Sequence, residues 1–335
     1  MSGCTQEEKQ TKYNYVFLNI AEDYIEPVFF PLDRCETIRV YRHAFSSGRL
    51  RQSLFFLHWS GKINRIVRLP LKKLWYRRIT EHDFAEKRPC CYVFYSGKYI
   101  AEDPGLFDYI KRLNPENKCI ILLGDTIEKK HWDIPEIKKR CDHILTYNPV
   151  EAEEYDLSLF TGVSYGPIME VTTPDVFEDD VYFLGYAKNR LQTIFQVYDA
   201  LTRKGLRCNF LLCGIKKADR VAGEGLHYID PIPYRENISN IQKSKCILEI
   251  VQRGCDAATL RTEEAHVYRR KLLTNNQNLT GQTYYDPSHM LVFSNVEEID
   301  ESFLKSPIDY EAFDDSYDYS PMKLIDFLEG LLEGK

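Results

Sequence analysis

The run CILEIV, Cys246–Val251, is short, β-branched and almost wholly apolar. A strand of that kind is covered on both faces, as in a parallel sheet. Arg253, Gly254 and Asp256 follow as turn chemistry, and Thr259 stands where a helix would begin. Leu260, Val267 and Tyr268 recur at helical spacing, and Lys271–Thr274 reads as the next strand. Strand, loop, helix and strand make one βαβ unit, which commits the chain to an α/β architecture.

A helix entered from the carboxyl end of a parallel strand directs its unpaired amides into the crevice there, where anions bind. Its first turn carries Thr259, Arg261 and Thr262, two hydroxyl donors and a guanidinium fork suited to phosphate oxygens. Glu263 and Glu264 lie between Leu260 and Val267, so at least one leans toward the apolar side and needs donors there. Two adjacent ribose hydroxyls would supply them. An ordinary Arg261–Glu264 helix pair, with the glutamates complementing the macrodipole, accounts for the same residues.

At 335 residues the chain exceeds what one core usually supports, so two domains are expected. A net charge of −6 carries no global nucleic-acid signature, and any basic site must be local. The ten cysteines show no CxxC and no paired Cys/His spacing. They read as small core residues in a reducing compartment, and no metal site is expected. The opening MSGCTQEEKQTK has no apolar signal-peptide core, and no run reaches the ~18 apolar residues of a membrane span. A cytoplasmic protein is expected.

Strands are predicted at Tyr13–Ile20, Thr37–Tyr41, Leu54–Trp59, Cys91–Tyr95, Cys119–Leu123 and His143–Tyr147, with helices at Gly105–Leu113, Pro135–Arg140 and Val150–Tyr155. Periodicity fails between Ser164 and Asp180, then restarts with strands at Val181–Gly185, Cys208–Cys213 and His227–Ile229 and helices at Arg190–Lys204 and Glu236–Lys243. This divides the chain into an N-terminal domain (1–165), a linker (166–180), a C-terminal domain (181–317) and a terminal segment (318–335) whose helix, Met322–Leu332, could pack back on the N-terminal domain. The fold class is α/β: two Rossmann-like, doubly wound domains facing a cleft.

Lys62–Arg78 departs from the rest of an acidic chain, with seven basic residues, no acidic one and interleaved apolar side chains. Lys62, Arg65, Arg68 and Lys72 follow one helical stripe, which Pro70 is expected to kink or end, and Lys73, Arg77 and Arg78 continue the charge. Such a face fits an anionic membrane surface or another polyanion. Nucleic acid could use it but is not an expected partner, and a solvated helix whose charges snorkel over a core-facing stripe is the plain alternative.

The succession FLGYAKNRLQTI, CNFLLCGIKK, YIDPIPYREN, CILEIVQ and TLRTEEAHVYRRKLLTNN resembles the donor-binding domain of bacterial GT-B glycosyltransferases, particularly those of capsule, O-antigen and other surface-polysaccharide assembly. The resemblance implies a sugar nucleotide, UDP-linked as the first guess, on the second domain and a glycan or lipid-linked acceptor on the first. The nucleotide sugar is a substrate, and no cofactor is implied. Lys188 and Arg190 would face the diphosphate, Tyr234 would lie near the base, and Gln252 and Arg253 beside the sugar. Thr259, Arg261 and Thr262 would hold the diphosphate and Glu264 the ribose. The loop Cys255-Asp256-Ala257-Ala258 stands where such enzymes often carry more glycine.

Electrostatic neutralisation of a leaving diphosphate by arginine, lysine and a helix terminus needs no metal, and the chain has no DxD triplet. An inverting enzyme would need a base in the first domain, for which Glu22, Asp23 and His58 are the candidates. Two other readings stay open: a sugar-nucleotide epimerase of the same architecture, and a non-catalytic nucleotide- or polyanion-binding platform in surface-glycan assembly. A dehydrogenase, a P-loop NTPase and a GxSxG hydrolase are disfavoured because their motifs are missing.

Overall fold

The computed structural model describes residues 11–20, 23–42, 48–60, 63, 67, 69–96, 103–124, 127, 132–160, 165–251, 259–282, 284–313 and 321–334. The chain forms two compact units, one of Met1–Gly162 with Leu324–Lys335, the other of Val163–Lys323.

Unit 1 holds six parallel strands: β1 (Asn14–Leu18), β2 (Ile38–Val40), β3 (Cys90–Tyr95), β4 (Lys118–Leu122), β5 (His143–Thr146) and β6 (Ser158–Leu159), in the order β2-β1-β3-β4-β5-β6. All five residues of β1 are buried, as a strand between two paired neighbours and two covering layers requires. Its helices are α1 (Glu26–Phe29), α2 (Arg49–Trp59), α3 (Lys73–Thr80), α4 (Pro104–Leu113), α5 (Ile134–Lys138) and α6 (Pro149–Tyr155). Three of them start on the same local device. Asp103, Asp133 and Asn148 each cap backbone amides of the first turn, with proline in the first two positions where its missing N–H costs nothing.

The expected strand at Leu54–Trp59 is instead the second half of α2. A short apolar run suits either a buried strand or a helix; in the helix Phe55 and Trp59, four apart, stack at 4.5 Å and turn inward together.

Unit 2 repeats the layering with β7 (Asp179–Tyr186), β8 (Cys208–Cys213), β9 (Leu226–Ile229), β10 (Ser244–Glu249), β11 (Lys271–Thr274) and β12 (Met290–Val292), ordered β12-β11-β10-β7-β8-β9 and parallel throughout. Its helices are α7 (Leu191–Arg203), α8 (Tyr234–Lys243), α9 (Leu260–Val267) and α10 (Glu301–Lys305). Counted from β7, this is the dinucleotide-fold order 3-2-1-4-5-6, and strand order reverses between β7 and β10. In unit 1 the reversal falls between β1 and β3. The buried cysteines Cys91, Cys119, Cys208, Cys213 and Cys246 are free thiols.

The final helix, α11 (Met322–Glu333), belongs with unit 1. Leu324, Ile325 and Leu328 are buried, Phe327 packs on Phe160, and Glu329 accepts the Tyr15 hydroxyl at 2.7 Å. Within unit 2, the fully buried Arg270 donates to the carbonyls of Ile241, Tyr268, Arg269, Thr172 and Gln242. It thereby ties the segment that enters the unit to the ends of α8 and α9.

Candidate functional site

The carboxyl ends of β7 and β10 flank the reversal of unit 2, where open α/β sheets bind ligands. Two guanidinium groups reach the carboxyl-terminal part of β7. After β7 the chain turns through Lys188, in the left-handed region at φ 48°, into Arg190. Arg190 donates to Ile250 O, just past β10, and to Tyr186 O at 2.6 Å, so one side chain joins the ends of both strands. Arg261, from the first turn of α9, donates to Leu184 O and lies 5.5 Å over the Phe183 ring. Gly185 makes room for it, since a Cβ there would stand 3.0 Å from Arg261 Nη2.

The threonines are placed differently from the expectation. Thr259 caps α9 by accepting from Arg261 N at 3.2 Å, and its hydroxyl proton goes to Glu249 Oε1. Thr262 donates to the same oxygen at 3.2 Å, and Thr274 donates to Oε2. A hydroxyl has one proton, so Thr259 and Thr262 are acceptors only toward anything else in the crevice. Glu249, buried at the end of β10, takes the donors expected for a diphosphate.

Glu264 and Tyr234 are joined to each other. Tyr234 is buried, and its hydroxyl donates to Glu264 Oε1 at 2.7 Å while pairing with the Tyr165 hydroxyl at 2.7 Å. Asn237 adds a second donor to Oε1 at 3.2 Å and accepts from Tyr182. Glu264 therefore has protein donors where ribose hydroxyls were expected. Burial pushes its carboxyl up to about 7, against the pull of the Arg261 charge. Glu263 presents the opposite case: its Oε2 is sealed from solvent and has no hydrogen-bond partner. Burial, then the charge of Glu264, raises its carboxyl well above the usual range.

Gln252 and Arg253 lie outside the described residues, as do Glu22, Lys62, Arg65 and Arg68. Asp23 is exposed in the turn after β1. His58 is not at a strand end. It sits in the last turn of α2, with Nδ1 2.9 Å from Leu54 O and its ring 5.7 Å from Trp75. Lys72 turns back from the expected cationic stripe: it lies 3.8 Å from buried Asp103 and 5.5 Å over the Trp59 ring. Lys73, Arg77 and Arg78 are exposed on α3, with Arg77 held 2.9 Å from Glu81. Among the described residues no group of three or more His, Cys, Asp and Glu could hold a metal ion.

No protein-family model and no curated protein sequence matches the chain. Solved structures do. An alpha-glucosyltransferase in complex with UDP and a 13-mer DNA containing an HMU base is 10% identical over 94% of both chains, with a TM-score of 0.52. The likeness is one of fold. A DNA-modifying beta-glucosyltransferase, described with and without uridine diphosphoglucose, is 10% identical over 96% of this chain and 97% of its own, at a TM-score of 0.49. The UDP-GlcNAc 2-epimerase from Neisseria meningitidis, bound to UDP-GlcNAc, is 13% identical over 94% and 98%, also at 0.49. The chain thus has the GT-B architecture of two Rossmann-like, parallel-sheet units.

In the sequence Glu249 is one polar residue in an apolar strand, with nothing local to mark it. The one available signal was the set of three threonines, Thr259, Thr262 and Thr274, following it in the same βαβ unit. In unit 1 the matching strand ends are set by Asn19 and Ser96, both in the left-handed region. Asn19 donates to Tyr95 O at 2.9 Å, joining β1 to β3 across that unit's reversal. Buried Glu151 accepts from Ile127 N at 2.7 Å and from Thr146 at 3.3 Å.

Proposed function

We propose that the chain is a metal-independent glycosyltransferase that takes a sugar from a nucleotide diphosphate, UDP the first candidate. The supporting observation is that Arg190 bridges the ends of β7 and β10 while Arg261 reaches β7 from the first turn of α9, in a GT-B fold. In this reading unit 2 holds the donor. Arg190, Arg261 and Lys188 neutralise the diphosphate as the C1–O bond to it breaks, a task for preorganised positive charge. Gln252 and Arg253 are assigned to the sugar.

Unit 1 holds the acceptor, a glycan or a lipid-linked sugar in cytoplasmic surface-polysaccharide assembly. An acceptor hydroxyl oxygen bonds to C1 and gives up its proton. Asp23, exposed beyond β1, is the base we assign for an inverting reaction; the His58 Nδ1 approach to Leu54 O makes that residue the weaker candidate.

Titration calorimetry with UDP, GDP and ADP, followed by assays with their sugars, tests the reading. Arg261→Ala should lose about 1.5–3 kcal/mol of nucleotide affinity, roughly 10- to 150-fold, as truncation of a charge-assisted contact does. Wild-type protein that binds none of these nucleotides, or Arg261→Ala and Arg190→Ala proteins of unchanged affinity, would refute the donor site. Isomerisation of the donor sugar with no transfer would make the chain an epimerase.

A further inference from the structure

Unit 1 carries a surface for which the donor site has no use. Of thirteen large apolar side chains exposed among the described residues, seven fall between positions 50 and 74. Leu50, Leu54 and Leu57, spaced four and three apart on α2, form one stripe with exposures of 76, 43 and 44%. Leu71, two residues before α3, and Leu74, in its first turn, are exposed by 67 and 65%.

These side chains are not failed core residues, because both helices already have an inner face. Phe55 and Trp59 of α2 pack with Trp75 and Tyr76 of α3, and all four are buried. Helices with an apolar stripe on each side bury one in the protein and need a second apolar phase for the other. The charge around them is equally one-sided. Positions 49–80 contain nine lysines and arginines and no acidic residue, in a chain whose net charge is −6. On α3, Arg77 and Arg78 follow Leu74 by three and four residues, which places exposed cations beside an exposed leucine.

We infer that the outer faces of α2 and α3 dock unit 1 on an anionic lipid bilayer, leucines entering the acyl boundary and Lys73 and Arg78 meeting the headgroups. A polyanion such as duplex DNA would answer the charge but would gain nothing from the leucine stripe, whereas a bilayer answers both. Among the described residues no helix is long and apolar enough to cross a membrane, so the contact is peripheral. The inference stands apart from the activity, since it uses neither the arginines of unit 2 nor a substrate.

Co-sedimentation of the full chain with vesicles tests it. Wild-type protein should pellet with equal-part phosphatidylglycerol/phosphatidylcholine vesicles and stay in solution with phosphatidylcholine alone. Leu54→Glu/Leu57→Glu should abolish pelleting while leaving the far-UV circular dichroism unchanged. Lys73→Gln/Arg78→Gln, at two exposed positions, should weaken binding about fivefold per charge removed. The inference is overturned by wild-type protein that ignores anionic vesicles, by binding that the leucine substitutions leave intact, or by retention on duplex DNA without retention on vesicles. It is equally overturned if neutral vesicles bind as well as anionic ones.

Discussion

Replacing Glu264 with glutamine should make unit 2 more stable at neutral pH, although it removes a carboxylate that accepts two hydrogen bonds. The side chain is 3% exposed, and burial raises its carboxyl from 4.5 to about 7. Below pH 4.5 the folded and unfolded chains both hold the proton, and the full stability is present. Between 4.5 and 7 the unfolded chain ionises while the folded chain resists. Stability then falls by about 1.4 kcal/mol per pH unit, to a total of about 3 kcal/mol above pH 7. Glutamine keeps an oxygen for Tyr234 and Asn237 and carries no charge to bury. After the cost of seating its NH2 group, the variant should gain about 1–3 kcal/mol at pH 8 and little or nothing at pH 5. His289, whose pKa burial lowers, titrates in the opposite sense, and the difference between variant and wild type cancels it. Urea unfolding is the assay. All three tryptophans, Trp59, Trp75 and Trp132, belong to unit 1, so fluorescence marks that unit and the remaining circular-dichroism transition reports unit 2. Equal pH slopes for the two proteins between 5 and 8 would show that Glu264 does not bear this cost.

Glu249→Ala strands three threonine hydroxyls and should destabilise unit 2 by about 2–4 kcal/mol, with Glu249→Gln recovering roughly half; a urea-measured loss below about 0.5 kcal/mol would contradict the network. Gly225 has φ +80°, and a Cβ there would stand 1.8 Å from the Cys208 carbonyl oxygen. Gly225→Ala should therefore cost at least about 3 kcal/mol or prevent folding, and near-wild-type thermal stability would rule that geometry out. Glu329→Ala should cost unit 1 about 1–3 kcal/mol by stranding the buried Tyr15 hydroxyl, and adding Tyr15→Phe should restore part of it. A double-mutant cycle with no coupling would place the stabilising role of α11 in its apolar residues alone.

Much of this protein is written locally. Apolar runs such as Cys119–Leu122 and Cys208–Cys213, and the Asp-Pro and Asn-Pro caps of α4 and α6, specify strands and helices through neighbours a few residues away. Their alternation leads to parallel sheets, and the first turn after the CILEIV strand could be recognised as a place of interest without coordinates. Partners distant in sequence decided the rest. Leu54–Trp59 is a helix because its aromatic rings meet Trp75 and Tyr76. Glu264 is satisfied by Tyr234 and Asn237, thirty and twenty-seven residues away, while Glu263 beside it is left with an oxygen lacking a donor. Lys271, at the head of β11, is buried under the carbonyls of Phe303 and Ser306, which hold a cation where the strand pattern alone would have a hydrocarbon. Periodicity tells which side of an element turns inward; only the assembled sheet tells which polar atoms are waiting there.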